Sequence, residues 1–323
     1  PETYYALIQM DGDRMGAWLA GNEEQYQLRY RDTWHPQVQS QVDRFAQQDE
    51  TLHAYLTARR PPSPARHAAI SRALNDFSIH LARHIVEACV KGKLLYAGGD
   101  DVLALVAVDD LFDAMQLLRL AYSGLAPHDN MGLGERIGEL RPGGGDRQRG
   151  LMLKDGFALL QGRRLMTLMG HKATASMGAV VAHHQAPLGM VLRQLREAES
   201  RAKNHKRKNT AMQDTDRDAF CIRVLKRGGG EVSVTSPWWP VGADQRPGVG
   251  TSALRLMKDL RNELAQTSFS RGAIYQAQLW FDGLTDERGD SSDARWRAQL
   301  AGSLAYQFAR QNKSGAGKRR VVQ

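Results

Sequence analysis

The chain is poor in cysteine and has no long apolar run, and each shortage excludes a class of protein. Only Cys89 and Cys221 occur among 323 residues. Two isolated thiols support neither a disulfide framework nor a CxxC zinc module, so we expect two buried, free cysteines. No stretch of eighteen apolar residues is present, and the chain enters a strand pattern at once, so neither a membrane span nor a signal peptide is predicted. We therefore expect a cytoplasmic protein without a membrane partner.

The charge balance favours a polyanionic partner. Lys and Arg number 44 against 35 for Asp and Glu, which gives a formal net charge of +9. Part of the excess is local, because residues 201–208 (RAKNHKRK) carry five Lys and Arg residues in eight positions. Lysine and arginine that neutralise phosphates release counterions, so contact with nucleic acid is the favoured interpretation. A basic surface that only keeps the protein soluble is the alternative.

The first half of the chain predicts a strand, a helix, a hairpin and a second helix. Residues 3–10 alternate as in a strand, and a polar, Gln-rich stretch from about 20 to 66 is interpreted as an insertion. A helix of about twenty residues then ends near Gly92, and Gly98-Gly99 marks the hairpin. Asp109 and Asp110 precede the second helix.

The second half predicts a further insertion, a continuation of the sheet and a helical domain. Residues 124–150 are rich in glycine and arginine, which is typical of an exposed loop. A strand over 174–181, a helix over 187–202 and a hairpin over 220–234 follow. Beyond a Pro-, Gly- and Trp-rich segment, apolar residues recur at helical spacing. We predict two domains: residues 1–240, with insertions near 20–66 and 124–150, and an all-helical domain over 250–323.

This element order indicates an α+β fold of the ferredoxin-like type, an antiparallel sheet with helices on one face. In that topology the first strand and the central hairpin are neighbours in the sheet. Asp11, at the end of the first strand, then lies beside Asp100 and Asp101 of the hairpin. Carboxylates gathered in this way suit Mg²⁺ or Mn²⁺ and therefore phosphate chemistry. The alternative is a set of exposed aspartates in ordinary turns.

Six ordered blocks resemble the palm of nucleotide and diguanylate cyclases and, more specifically, the large polymerase subunit of type III CRISPR effector complexes, in particular the III-B branch. They span more than 200 residues, which is far more specific than a lone GGDD. The blocks are YYALIQMDGDRMG (4–16), ALNDFS (73–78), GKLLYAGGDDVLALV (92–106), ATASMGAVVAHHQAPL (173–188), REAESRAKN (196–204) and RDAFCIRVLKRGG (217–229).

The resemblance implies a palm that condenses ATP into cyclic oligoadenylate after the complex has bound target RNA. It implies other subunits of the effector complex, crRNA and target RNA as partners, and a helical C-terminal domain that packs against small subunits. The HD nuclease, the first palm and the zinc module of full-length relatives have no counterpart in this sequence. We therefore expect the GGDD palm and the helical domain of a longer protein, and no DNase activity.

The chemistry that joins two ATP molecules assigns the acidic residues. A 3′-hydroxyl attacks an α-phosphorus while pyrophosphate leaves, and two metal ions about 3.5–4 Å apart serve this step. We expect Asp11 and Asp100 to be the principal ligands and catalytic residues, with Asp101 next and the Gly12 carbonyl as a further oxygen.

Four more positions are candidates for nucleotide contact. Gly98 and Gly99 leave room for a nucleotide, although a hairpin turn alone explains them. Ser176 lies on the strand next to the predicted site, where a small residue in a packed strand is the alternative. Lys203 resembles the lysine that grips the triphosphate in cyclases, against the alternative of a solvated lysine.

Two competing functions stay open at this point. The first is a non-catalytic subunit that contacts nucleotide and RNA as a scaffold of the complex. The second is a stand-alone diguanylate or adenylyl cyclase, against which the helical C-terminal domain argues.

Overall fold

The computed structural model describes residues 3–21, 23–127, 133, 150–208, 214–239 and 252–265, with positions 302, 303 and 306 in addition. By its internal contacts the chain divides into two compact units, Pro1–Ala253 and Leu254–Gln323. The first unit contains all the strands described below. Most of the second unit lies outside the described residues, and so does most of the predicted helical domain.

A six-stranded sheet forms the centre of the first unit. Its strands are β1 (Tyr4–Gly12), β2 (Gly92–Gly98), β3 (Asp101–Val106), β7 (Ala175–His183), β10 (Ala219–Leu225) and β11 (Glu231–Pro237). They lie in the order β11-β10-β7-β1-β3-β2. β1 pairs antiparallel with both β3 and β7, while β10 runs parallel to β7. The four strands β7-β1-β3-β2 have the ferredoxin-like order, which confirms the predicted fold class.

The helices connect and cover these strands. The chain stays helical from Pro64 to Cys89, with wide π turns at Asp76–Ala82 and Ile85–Cys89, which confirms the helix predicted before the hairpin. The helices are α1 (Met15–Ala20), α2 (Pro36–Ala46), α3 (Glu50–Thr57), α4 (Pro64–Asn75), α5 (Leu111–Ser123), α6 (Leu188–Lys203) and α7 (Ala253–Ala265).

Helices cover both faces of the sheet, so the prediction of one covered face is wrong. β7 is buried at all nine positions, and successive side chains of a strand point to opposite faces. On one face, Leu7 and Val180 pack against α6. On the other, Phe77 of the π-helical segment meets Tyr122 of α5 edge to face, with ring centroids 5.3 Å apart. The resulting core positions the strand ends rigidly.

The insertions contain structure that periodicity did not predict. The 20–66 insertion folds into α2 and α3, which pack on each other. A separate antiparallel sheet follows the 124–150 segment, most of which lies outside the described residues. That sheet comprises β4 (Leu151–Lys154), β5 (Phe157–Leu160) and β6 (Arg164–Thr167). Further along the chain, β8 (Arg207–Lys208) and β9 (Asp214–Thr215) form a separate two-stranded sheet.

The expectation for the two cysteines is confirmed. Cys89 and Cys221 are both free and buried, as predicted. Within the described part of the chain, none of the helices combines the length and the apolar character needed to cross a membrane.

Candidate active site

Two neighbouring strands deliver three carboxylates to one edge of the sheet. Met10 pairs with Val102, and this antiparallel register sets Asp11 across from Asp101. Asp101 pairs with Gly98, so Gly99 and Asp100 form the hairpin turn between β2 and β3. Gly99 has a φ of +62°, a conformation that glycine adopts without strain. The predicted meeting of Asp11 with the hairpin therefore follows from strand pairing.

The three carboxylates are close enough to disfavour one another's charge. Burial, together with the charges of Asp11 and Asp100 and a hydrogen bond to Asp11, raises the pKa of Asp101 to about 6. Burial is also the main reason that the pKa of Asp100 is raised, and the Asp11 charge adds to it. Such crowding favours binding of a positive charge at this edge.

Lys203 already places a positive charge in the cluster. Its Nζ lies 3.0 Å from Asp11 Oδ2 and also forms an ion pair with Glu199, one helical turn earlier in α6. These two carboxylates outweigh the cost of burial, so the pKa of Lys203 is raised. The end of α6 thus offers an ammonium group to whatever anion occupies the site.

Gly178 explains how α6 comes so near to the strands. A Cβ at Gly178 would stand only 2.8 Å from Glu199 Cα and closer still to the Glu199 backbone nitrogen. Real Cβ atoms do not approach backbone so closely, so only glycine allows this contact between β7 and α6. The close approach brings the side chains of Glu199 and Lys203 over the end of β1.

Gly12 is required for a similar reason. A Cβ there would stand 2.7 Å from Asp100 Cβ and would collide with the Tyr122 hydroxyl. The Gly12 N–H donates to the Asp100 carboxylate, which favours the charged form of that group. Tyr122 donates to Met15 Sδ at 3.2 Å, and burial raises its pKa. These contacts hold Asp100 against the end of β1.

Gly98 and Gly99 differ in their surroundings. A Cβ at Gly98 would collide with the Tyr96 ring, whereas one at Gly99 would meet nothing within 4 Å. The space above Gly99 is therefore open on the described part of the chain. Contact of either glycine with nucleotide stays a prediction.

Ser176 supports the site from below rather than lining its open surface. The residue is fully buried and its Oγ donates to Asp13 Oδ1 at 2.8 Å. Because this hydroxyl is committed to a buried carboxylate, the predicted hydrogen bond from Ser176 to nucleotide is not supported by its position. Ser176 pairs with Asp11 across β1 and β7, so its effect on the site passes through the strands.

The donor set fits a hard divalent cation in kind. Asp11, Asp100 and Asp101 offer carboxylate oxygens, and crowding of their charges is what such an ion relieves. Their arrangement is not itself a coordination sphere: within the described ranges, no group of three or more His, Cys, Asp or Glu side chains stands ready to hold a metal. Lys203 instead occupies one oxygen of Asp11.

Neither Glu199 nor Asp13 is among the site residues that the sequence predicts. Glu199 stands four residues before Lys203 on a helix, a spacing that signals an ion pair. Nothing in the sequence marks this pair among the other charges of α6. Asp13 lies buried at the base of the site, where its pKa is raised mainly by burial.

Comparison with known proteins finds similarity in the part of the chain that carries these features. Residues 4–134 match the model of the second palm domain of Cas10/Cmr2. The CRISPR system Cmr subunit Cmr2 of Pyrococcus furiosus is 29% identical over 229 residues, which cover 71% of this chain and 19% of that protein. The sequence match and the strand-borne aspartates thus lie in the same region.

Two solved structures share the fold. The type III-B Cmr-beta structure in the apo state matches with a TM-score of 0.65 and 18% identity, over 97% of this chain and 34% of that chain. Cmr-beta bound to cognate target RNA matches with a TM-score of 0.67 and 16% identity, over 99% and 35%.

The chain therefore spans about a fifth of the Cmr2 relative and about a third of the Cmr-beta chains. At these identities the two structures show a similarity of fold alone. The family model and the Cmr2 relative show a similarity of sequence. Residues 4–134 are thus similar to the second palm domain of Cas10/Cmr2, and a longer part of the chain is similar to the Cmr subunit Cmr2.

Proposed function

We propose that this palm condenses ATP into cyclic oligoadenylate, with divalent metal, as part of an RNA-guided type III CRISPR effector complex. The observation that carries the proposal is the meeting of Asp11, Asp100 and Asp101 with Lys203 at one strand edge. Carboxylates beside a single ammonium group suit a reaction in which a polyphosphate must be bound and a phosphorus attacked.

Each residue has a stated part in this chemistry. A 3′-hydroxyl of one ATP loses its proton to solvent and forms a new bond to the α-phosphorus of another, and the bond from that phosphorus to pyrophosphate breaks. Asp11, Asp100 and Asp101 would hold two Mg²⁺ or Mn²⁺ ions, which when bound activate the hydroxyl and neutralise the leaving group. Lys203 supplies a point charge to the triphosphate. Gly99 leaves the turn open to the nucleotide.

The partners follow from the family and from the charge of the chain. The Cmr-beta relative binds cognate target RNA, and this chain carries a formal net charge of +9. We extend to this protein the other subunits of an effector complex, crRNA and target RNA, with target RNA as the activator. The helical domain over 250–323 would contact those subunits.

A double variant tests the assignment directly. Asp100→Ala with Asp101→Ala is expected to abolish the conversion of radiolabelled ATP to oligoadenylate while assembly and RNA binding persist. The assay contains the partner subunits, crRNA, target RNA and Mg²⁺ or Mn²⁺. Product at the wild-type rate from the double variant would contradict the assignment.

Asp109→Ala is the matched control. Asp109 is an exposed aspartate just beyond the other end of β3. Its substitution therefore removes a carboxylate near the same strand without changing the cluster. We expect Asp109→Ala to retain wild-type turnover. Equal losses in the two proteins would indicate a general effect of charge on assembly.

A non-catalytic scaffold that contacts nucleotide and RNA is the second candidate. It is favoured by the Lys203–Asp11 ion pair, which occupies an oxygen that a metal would need. The two candidates separate in one assay. ATP bound to the assembled complex without any product, in the presence of Mg²⁺, Mn²⁺ or Co²⁺ and target RNA, would select the scaffold.

A further inference from the structure

We infer that a buried network of Arg119, Asp218 and Asp13 positions the acidic end of β1 for the proposed metal site. The inference rests on the proposed function and adds to it three residues that do not touch the open surface. Arg119 and Asp218 come from α5 and from the turn before β10, so the network ties two distant parts of the chain to the strand that carries Asp11.

Asp13 is the point at which the network meets β1. Its carboxylate accepts hydrogen bonds from Thr174 Oγ1 at 2.7 Å, from Ser176 Oγ at 2.8 Å and from the Asp218 backbone N–H at 3.0 Å. The Asp13 N–H donates to the Thr174 carbonyl at 2.9 Å. Asp11 lies two residues earlier in the chain and pairs with Ser176, so the backbone and the pairing of β1 with β7 both link Asp13 to Asp11.

Arg119 and Asp218 hold the far side of the network. Arg119 is fully buried, and its Nε and Nη2 donate to Asp218 Oδ1 at 2.9 and 2.7 Å. Its Nη1 donates to Ser123 Oγ at 2.6 Å, and Ser123 Oγ donates to the Ala173 carbonyl at 2.6 Å. The guanidinium carbon also lies 5.1 Å from the centre of the Trp239 ring. All three guanidinium nitrogens of Arg119 therefore donate hydrogen bonds, which orients the group.

The backbone around this network is held in conformations that cost energy. Arg14, Arg217 and Asp218 have φ values of 55°, 64° and 46°, in the left-handed region that non-glycine residues seldom adopt. Arg14 Nη2 also binds both carboxylate oxygens of Asp216, at 2.7 and 2.9 Å. Strain of this kind persists only where surrounding contacts fix the chain. Here the fixed segments are the turn after Asp11 and the turn that presents Asp218.

If Arg119 had a purely structural role, replacing it would have the same effect as replacing another buried, ion-paired arginine. The chain offers one such arginine for comparison. Arg223 of β10 is 3% exposed and binds Glu231 and Glu197. Arg223 pairs with Val180 of β7. Val180 is four residues beyond Ser176, which is roughly 13 Å along the strand at the usual rise per residue. Arg223→Lys is thus a matched control for the loss of a guanidinium fork far from the site.

Two measurements on the full chain separate positioning from stability. We expect Arg119→Lys and Asp218→Asn to weaken Mn²⁺ binding, followed by electron paramagnetic resonance, about tenfold or more, as supporting residues of metal ligands do. We expect both to speed amide hydrogen exchange in residues 10–14. Arg223→Lys should leave Mn²⁺ binding within twofold of wild type and exchange in this segment unchanged, with all proteins compared at an equal folded fraction by circular dichroism.

The outcomes are distinct. Wild-type exchange of residues 10–14 in both network variants, or equal changes in Arg223→Lys, would overturn the inference. If the wild-type chain binds no Mn²⁺, the metal chemistry of the proposed function fails in this chain, while hydrogen exchange still decides whether the network fixes the end of β1.

Discussion

Lys203 Nζ lies 3.0 Å from Asp11 Oδ2, so the last residue of α6 and the acidic end of β1 meet in an ion pair. The two side chains are only 25% and 26% exposed, which limits screening by water. Lys203 therefore does for the crowded carboxylates what a divalent cation would do: it offsets part of their mutual repulsion. A metal ion bound at this edge and the Lys203 ammonium group would therefore compete for the same oxygen, Asp11 Oδ2.

We expect Lys203→Met to destabilise the metal-free protein by about 2 kcal/mol, because it leaves the partly buried Glu199 and Asp11 without their shared cation. Chemical denaturation in the presence of EDTA measures this loss of stability. Added Mn²⁺ should reduce the difference in stability between the variant and the wild type. Lys93→Met is the control, since the Lys93–Glu87 pair has a lysine 66% exposed and such surface pairs contribute about 0–1 kcal/mol. Equal losses in both variants would contradict a special role for Lys203.

Gly178→Ala should displace α6 from β7. The added Cβ meets the backbone of Glu199, and such overpacking costs about 1–3 kcal/mol. Because Lys203 ends the same helix, we expect a loss of ATP affinity larger than the loss of stability explains. Unfolding curves and ATP titrations measure the two effects.

Gly189→Ala is the matched control for this variant. Gly189 lies in the first turn of the same helix and has open space around its Cα, so alanine should be neutral or stabilising. An intact ATP affinity in Gly178→Ala would show that α6 does not set the position of Lys203.

Patterning predicted the ferredoxin-like part of the sheet, and the reason is local. A strand that ends at Asp11 and a hairpin at Gly98-Gly99 are strong short-range signals, and the ferredoxin-like topology makes the two neighbours. The β4–β5–β6 sheet was missed because its strands have only four residues each, too few for a period to be recognised.

Contacts between residues that are far apart in the chain could not be predicted from the sequence pattern. Glu199 is one of several charges on α6, and only the absence of a side chain at Gly178 brings it over β7. Ser176 lies on the predicted strand, yet its hydroxyl binds Asp13, a contact that the strand pattern does not reveal. The pairing of Arg119 with Asp218 joins residues 99 positions apart, and no periodicity encodes such a contact.

Asp101→Asn should stabilise the metal-free protein near neutral pH. The pKa of Asp101 is about 6 in the folded chain, against about 3.9 for an unperturbed aspartate, so its ionisation opposes folding above pH 6. As the pH falls from 6 to 4, the folded state keeps the proton that the unfolded state has lost, and this penalty disappears. Thermal melts in EDTA should therefore give the variant a higher Tm at pH 7.5, by a few degrees at most because water screens this exposed group. At pH 4 the two melting temperatures should converge. A constant difference across this range would contradict the raised pKa of Asp101.

Gly99→Ala separates the turn from the nucleotide. At a φ of +62° with open space around it, alanine costs only the left-handed backbone, about 1–2 kcal/mol. Gly124→Ala, at a φ of +66°, adds a collision with the backbone of Gly156 and should cost more. If Gly99 only shapes the hairpin, its variant keeps the wild-type KM for ATP once stability is restored by lower temperature. We expect instead that KM rises in Gly99→Ala, because the added methyl group fills the space above the turn where the proposed site receives ATP. Steady-state turnover in the assembled complex measures the difference.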